Sequence, residues 1–126
     1  MWINDSLGGI VLWENPNPEN EFPEQDIALA SADYDYYEVF CLQFPFGTAN
    51  NLTVYSKGIR GEGVFLGVFS ANDNILTVQN RSITYKSDTV LNIGFCHSGV
   101  ILGNNYSHST NSIRIIPLKV MGYKKL

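Results

Sequence analysis

The chain has 126 residues, the length of a single domain. Its 44% hydrophobic content is sufficient to build a core, which excludes an intrinsically disordered chain. Charged residues make up only 16%, and the net charge is −4 with no block of basic residues. This balance argues against nucleic-acid binding through neutralisation of phosphates. We expect one domain spanning residues 1–126, with residues 1–8 as a flexible N-terminal extension, and no nucleic-acid partner.

The two cysteines, Cys41 and Cys96, lack the CxxC spacing of a redox or zinc site. Each lies in an apolar run, where a free cysteine behaves as a small buried hydrophobic residue. Buried thiols are therefore predicted, with a disulfide between them and a reactive thiol as alternatives. The chain shows neither an export signal nor an apolar run near the roughly 18 residues of a membrane span, so membrane insertion is not expected.

The hydrophobic pattern predicts strands and turns. Short β-branched and aromatic runs recur about every eight to twelve residues between clusters of Gly, Asn, Asp and Ser, which is typical of antiparallel sandwiches and barrels. At most one helical turn is expected, near Ser31–Tyr34. The predicted fold is an all-β antiparallel β-sandwich, jelly-roll-like, with Val39 and Cys41 in its core. The predicted strands are 9–13, 26–30, 36–43, 52–57, 63–69, 75–79, 82–86, 89–96 and 112–122.

Turn-forming residues account for the breaks between these strands. Three prolines make residues 15–24 an extended surface connection. The glycines of Lys57–Gly63 are expected at a positive φ or a bulge, and ANDN, Ala71–Asn74, is expected to join two strands. Tighter turns are predicted around Asn80 and Ser87.

The last predicted strand contains a conflict between its charges and its alternation. Arg114 and Lys119 fall on opposite faces of a strict two-residue repeat, and Pro117 lies between them. Proline cannot donate to a strand ladder and is tolerated at bulges. A bulge near Ile116–Leu118 is therefore predicted, because it would return both charges to solvent.

No catalytic or metal-binding pattern stands out in the sequence. Ser98 lies beside His97, but adjacent side chains on a strand point to opposite faces, and there is no G-x-S-x-G elbow. A metal site at His97 and His108 would need the loop between them to fold back, and no carboxylate lies between them. We expect no enzyme activity, no cofactor and no metal.

Three acidic residues lie close together at the start of a predicted strand. Asp33 and Asp35, with Glu38, are of the type that binds calcium or forms the carboxylate pair of a glycosidase. They come without an EF-hand loop or a second acidic cluster. The sequence favours a structural role in which Asp closes a turn through its own backbone.

One predicted loop, Gly103–Thr110, combines an aromatic ring with amide and hydroxyl groups. A sugar offers an apolar face for stacking and hydroxyls for hydrogen bonds, so this mixture suits carbohydrate binding. Tyr106 would stack on the sugar, and Asn104 and Asn105 would bond its hydroxyls. The full set of candidate carbohydrate-binding residues is Tyr106, Asn104, Asn105, His97, His108 and, in the ANDN turn, Asp73. The alternative is a plain hairpin loop in which Tyr106 packs on its own neighbours.

Two segments at opposite ends of the chain are more distinctive: LWENPNPENEFPEQDIALASADYDYYEVF, residues 12–40, and SIRIIPLKVMGYKK, residues 112–125. They resemble the C-terminal module of tail-fibre, baseplate and receptor-binding structural proteins from tailed phages and prophages of Gram-positive bacteria. That family has an opening LWxNPxPxxxFxxQxIxL, a YDxxEI-type strand and a closing strand like IPLKIYGI. Met121 departs from the family's frequent Tyr, and residues 44–51 have no counterpart. The matching residues are Leu12, Trp13, Asn15, Pro16, Pro18, Phe22, Gln25, Ile27, Leu29, Tyr34, Asp35, Glu38, Ile116, Pro117, Leu118, Lys119, Val120 and Gly122.

The resemblance implies a virion module, made in the bacterial cytoplasm, that attaches a phage tail to a bacterial cell-surface saccharide beside other phage tail proteins. A homotrimer is implied, with exposed Trp2, Trp13, Phe44 and Phe46 at its interface. The alternative is that Trp13 plugs the sandwich and that the two phenylalanines form a local cluster. The alternative functions are a glycan-depolymerising enzyme domain and a structural fibre cap without a ligand.

Overall fold

A computed structural model describes residues 9–43, 52–72 and 75–125, which form nine strands and no helix. Two antiparallel sheets result: sheet A has the order β1-β9-β3-β4, and sheet B has the order β2-β7-β6-β5, with β8 also paired to β7. The predicted all-β antiparallel sandwich is confirmed. The strands are β1 (Ile10–Glu14), β2 (Gln25–Ala28), β3 (Tyr36–Gln43), β4 (Leu52–Ile59), β5 (Val64–Asn72), β6 (Ile75–Ser87), β7 (Val90–Leu102), β8 (Asn105–Asn111) and β9 (Ile116–Tyr123).

Strands from distant parts of the chain lie side by side: β1 pairs with β9, and β2 pairs with β7. These two pairings are the jelly-roll-like feature of the topology. Strands β5 to β8 are instead consecutive neighbours. A turn at Ile59–Glu62 carries the chain from sheet A to sheet B, closed by the Glu62 N–H donating to the Ile59 carbonyl at 2.9 Å. Gly61 has a φ of 98° there, so the predicted positive φ is found at this glycine of the segment and not at Gly58 or Gly63.

The core lies between the two sheets and includes the predicted Val39 and Cys41, both fully buried. Sheet B contributes Leu66, Ile83 and Ile93 from the facing side. Each such side chain stabilises the fold by roughly 1.5–3 kcal/mol relative to an exposed position. Among the described residues there is no helix of a length and hydrophobicity that would span a membrane.

The predicted bulge in the last strand is confirmed. Phe40 pairs with Lys119 and Cys41 with Pro117, so Leu118 is the extra residue. Lys119 is exposed, and Arg114 is half-buried ahead of the strand. The strand begins at Ile116 rather than at 112, because the Asn111 Oδ1 accepts N–H bonds from Ile113 and Arg114, both at 3.1 Å, and bends the chain there.

The predicted turn around Asn80 is wrong, since β6 runs unbroken from Ile75 to Ser87. Gln79 and Arg81 point into the sandwich, where they are 5% and 0% exposed. Polar residues at inward positions hide the alternation by which a strand is recognised in sequence. The two predicted strands 75–79 and 82–86 are therefore one.

The loop predicted at Gly103–Thr110, between the predicted strands 89–96 and 112–122, is also wrong. β7 continues to Leu102 and β8 returns from Asn105 as a hairpin with a two-residue turn. Gly103 has a φ of 59°, as the first central residue of a type II′ turn requires. β8 is exposed on both faces except at Asn111, so it has no hydrophobic alternation to reveal it. The Gly-Asn dipeptide was the available signal.

Several predictions fall outside the described residues. They concern the extension at residues 1–8, Trp2, Phe44, Phe46 and Asp73. Asn72 and Ile75 are paired as the ends of a β5–β6 hairpin, in agreement with a connection at ANDN.

Both cysteines are free and buried, as predicted. Burial raises the pKa of the Cys41 thiol to about 12 and also raises the pKa of Cys96. We expect an aromatic disulfide reagent at pH 8 to modify the native protein at least about a thousandfold more slowly than the unfolded chain, because the thiols must first be exposed by unfolding. Absorbance of the released thiolate measures both rates. Rapid native reaction, or fewer than two reactive thiols in denaturant without reductant, would contradict this assignment.

Candidate functional site

The outer surface of sheet B brings together residues from four consecutive strands. Directly opposite residues of antiparallel strands share a face, and the register aligns Gly67, Asn80, His97 and Thr110 in one row across β5 to β8. The next residue along each strand points to the opposite face of the sheet. These neighbours are buried: Leu66, Arg81 and Cys96 are 1%, 0% and 0% exposed. The first row therefore faces outward.

Three rings form a stack on this surface. The centroids of His97 and His108 are 5.5 Å apart with an interplanar angle of 19°, and those of Tyr106 and His108 are 6.4 Å apart at 15°. We call the outward residues Phe65, Asn80, His97, His108 and Tyr106 the aromatic face.

Tyr106 lies over a glycine of the neighbouring strand. A Cβ at Gly99 would be 3.1 Å from the Tyr106 Oη and 3.3 Å from its Cε1, so the ring occupies the space that a side chain would take. Tyr106 is nevertheless 65% exposed. The hydroxyl end of the ring lies against the strand, and most of the side chain remains accessible to a ligand.

The candidate residues from sequence divide into two groups. Tyr106, His97 and His108 lie together on the aromatic face. Asn104 lies in the hairpin turn, and Asn105 pairs with Leu102 and projects from the opposite face of β8 to its neighbour Tyr106. Asn105 therefore does not share the surface on which Tyr106 is stacked.

Sequence reasoning missed two residues of this face. Asn80 was assigned to a turn, but the register places it directly opposite His97. Phe65 is 61% exposed, and a Cβ at Gly67 would come within 3.2 Å of its ring. Phe65 alternates with the buried Leu66 in β5 and therefore faces outward. The outward side of β5 could be assigned only once Leu66 was known to be buried.

Charge is confined to the other end of the outer surface of sheet B. There the Lys86 Nζ lies 3.1 Å from the Asp26 Oδ2, and the Asn92 Nδ2 donates to the Asp26 Oδ1 at 2.9 Å. These hydrogen bonds, that of Asn92 first, lower the pKa of Asp26. In the described part of β5 to β8, the outward positions around the aromatic face carry no Asp, Glu, Lys or Arg.

A second feature is a cavity of about 350 Å³ formed by the connection between β1 and β2. The connection is held in place by Asn15, whose N–H donates to the Leu118 carbonyl at 2.9 Å and whose Nδ2 donates to the Pro117 carbonyl at 2.8 Å. Trp13 lines the cavity and contacts Phe22 edge to face at 5.8 Å. Trp13 is half-buried against the core, so it is not the exposed residue expected at a subunit interface.

Two of the three acidic residues at the predicted strand start, Asp33 and Asp35, are bound to the C-terminal segment, and the third, Glu38, is buried in β3. The Lys124 Nζ donates to the Asp33 Oδ1 at 2.7 Å, and the Lys125 N–H donates to the Asp35 Oδ2 at 2.8 Å. The Lys125 hydrogen bond lowers the pKa of Asp35, whereas a glycosidase general acid needs a raised one. Across the described ranges, no cluster of three or more His, Cys, Asp and Glu side chains is placed to hold a metal ion.

Comparisons with protein-family models, curated proteins and solved structures found no match to this chain.

Proposed function

We propose that this chain is a host-attachment module of a phage tail fibre or baseplate, and that its aromatic face binds a bacterial surface saccharide. The observation that carries the proposal is the stack of Tyr106, His108 and His97, in which Tyr106 is 65% exposed, on a part of the outer surface of sheet B where the described outward positions carry no charged side chain. The resemblance of residues 12–40 and 112–125 to phage tail modules supplies the biological setting.

The physical chemistry of the stack favours a sugar. Exposed rings attract the apolar C–H face of a pyranose, while imidazole nitrogens and the Asn80 amide offer donors and acceptors to its hydroxyls. Each of the three rings contacts a neighbouring ring, and Tyr106 also lies against Gly99, so binding costs little side-chain entropy. A preformed stacking surface is what weak, repeated saccharide recognition requires.

Tyr106→Ala is expected to weaken saccharide binding by about 2 kcal/mol, about 30-fold in Kd, because it removes a stacked ring that is 65% exposed. A glycan array with the intact assembly identifies the ligand, and calorimetry then measures Kd for each variant. Tyr55→Ala is the matched control: Tyr55 is 60% exposed and also stacked, on Phe40 at 6.0 Å, but belongs to sheet A.

Three results would contradict the proposal. Unchanged affinity of a folded Tyr106→Ala protein would remove the aromatic face as the site. New reducing ends released from the polysaccharide would indicate the depolymerase alternative. Assembly into a fibre without affinity for any glycan would indicate a structural cap.

A homotrimer is the expected assembly of this module. Several weak sugar sites held together act at a high effective concentration, which raises the overall affinity for a repetitive surface. Light scattering of the purified domain is expected to give about three times the mass of one chain. A monomer that persists at high concentration would contradict trimer formation by this domain alone.

A further inference from the structure

We infer that the aromatic face binds an extended, uncharged polysaccharide chain that crosses from β8 to β5, in preference to a single terminal sugar. The inference rests on the proposed saccharide binding and specifies the class of ligand. Four features carry it: the path of the outward residues, the glycine beside the ring at each end, the openness of the surface and its lack of charge.

The outward residues form a path across four adjacent strands. Tyr106 and His108 lie on β8, His97 on β7, Asn80 on β6 and Phe65 on β5. Adjacent strands are about 4.8 Å apart, so three spacings give roughly 14 Å across the sheet, before the offset along the strands is added. This length exceeds one sugar ring and accommodates several consecutive sugars.

An aromatic ring beside a glycine marks each end of the path. Gly99 leaves room for Tyr106, and Gly67 leaves room for Phe65, whose Cε1 would lie 3.2 Å from an added Cβ. A glycine has no side chain that would rise beside the ring. Neither glycine therefore obstructs a chain that crosses the strands between the two rings.

The surface is open rather than enclosed. Tyr106 is 65% exposed and Phe65 is 61% exposed. In the described structure, neither ring is therefore enclosed by a neighbouring loop. A site for one terminal sugar gains its affinity by surrounding that sugar in a concave pocket. An open surface must gain affinity from contacts with successive units of a chain.

The lack of charged side chains on this face favours uncharged polysaccharides over anionic ones. The outward positions described above offer neither lysine nor arginine to a phosphate or carboxylate, and the chain as a whole has a net charge of −4. An anionic polymer would be repelled by the protein without finding a cation on this face. A neutral polysaccharide needs no charged partner on the protein, so the lack of lysine and arginine on this face does not weaken its binding.

The test uses cell-wall polysaccharide from the Gram-positive strain to which the intact assembly attaches. Anion exchange separates a neutral fraction from an anionic one, and partial hydrolysis of the neutral fraction gives oligosaccharides of graded length. Calorimetry is expected to show binding of the neutral fraction, with Kd falling at least about tenfold between the disaccharide and oligosaccharides long enough to cross four strands.

Two variants separate the ends of the path. Phe65→Ala is expected to raise Kd for long oligosaccharides at least about fivefold and to leave disaccharide binding at Tyr106 unchanged. Gly99→Ala pushes the Tyr106 ring off the sheet without deleting it, and is expected to weaken binding at every length. Tyr55→Ala again serves as the control, and circular dichroism verifies that each variant is folded.

The outcomes distinguish this inference from the proposed function. Equal affinity for all lengths, a folded Phe65→Ala protein with unchanged long-chain affinity, or preference for the anionic fraction would overturn the extended neutral ligand and leave saccharide binding intact. Binding to neither fraction would overturn both.

Discussion

Arg81→Ala is expected to lower the free energy of unfolding by about 3 kcal/mol, one of the largest effects available in this chain. Arg81 is completely buried between the sheets, where few proteins place a charged residue. It lies directly opposite Cys96, and burial lowers the pKa of its guanidinium. No carboxylate is paired with it in the described residues.

The guanidinium joins three parts of the fold. Its Nη1 donates to the Gly94 carbonyl at 2.8 Å, its Nε donates to the Arg114 carbonyl at 3.1 Å, and its centre lies 5.9 Å from the centroid of the Phe22 ring. The Arg114 carbonyl precedes Ile115, a buried β-branched residue at a φ of 50°, where the backbone is strained. Alanine would leave a cavity and two carbonyls without these donors, which outweighs the relief of burying a charge.

The Arg81→Met variant separates the contribution of the guanidinium charge from the contribution of the side-chain volume. Methionine fills much of the same space and removes the desolvation cost, but it restores neither hydrogen bond, so a loss of about 1–2 kcal/mol is expected. Urea denaturation followed by circular dichroism gives both free energies. A methionine variant as stable as the natural protein would show that the guanidinium contributes nothing net, and an equally stable alanine variant would contradict its bridging role.

Gly63→Ala is expected to destabilise the fold by about 3 kcal/mol or to prevent folding, because the new methyl group meets backbone that cannot move aside. A Cβ at Gly63 would lie 2.3 Å from the carbonyl oxygen of Ile83. Ile83 pairs with Val64, the first residue of β5. Relief of the clash would therefore require β5 and β6 to separate where the chain enters sheet B.

Gly67→Ala is the matched control for this substitution. It lies within β5, four residues after Gly63, but its added Cβ would meet the Phe65 ring at 3.2 Å, and that exposed side chain can turn away. Thermal unfolding is expected to show a small change for Gly67→Ala and a large one, or no folded protein, for Gly63→Ala. Equal melting temperatures for the two variants would contradict the assigned clash.

The sequence by itself determined the fold class and most strand positions, and it favoured buried thiols over a disulfide or a reactive thiol for the two cysteines. These follow from local signals: the spacing of β-branched runs, the prolines of residues 15–24 and the positive-φ glycine in Lys57–Gly63. The bulge at Leu118 was predictable from Pro117, which cannot donate to a strand ladder, but the supposed conflict with Arg114 does not arise because Arg114 precedes β9.

Only the tertiary structure decided what faces inward and what forms the candidate site. The sequence predicts a turn at Arg81. In the structure Arg81 is buried, and its side chain donates to the carbonyls of Gly94 and Arg114, which lie 13 and 33 residues away in the chain. β8 is polar on both faces, so it becomes a strand only through pairing with β7. That pairing sets His108 and Tyr106 beside His97 and turns Asn105 away, because neighbouring strand residues point to opposite faces. The candidate site is thus a consequence of strand register, which depends on contacts between segments distant in the chain.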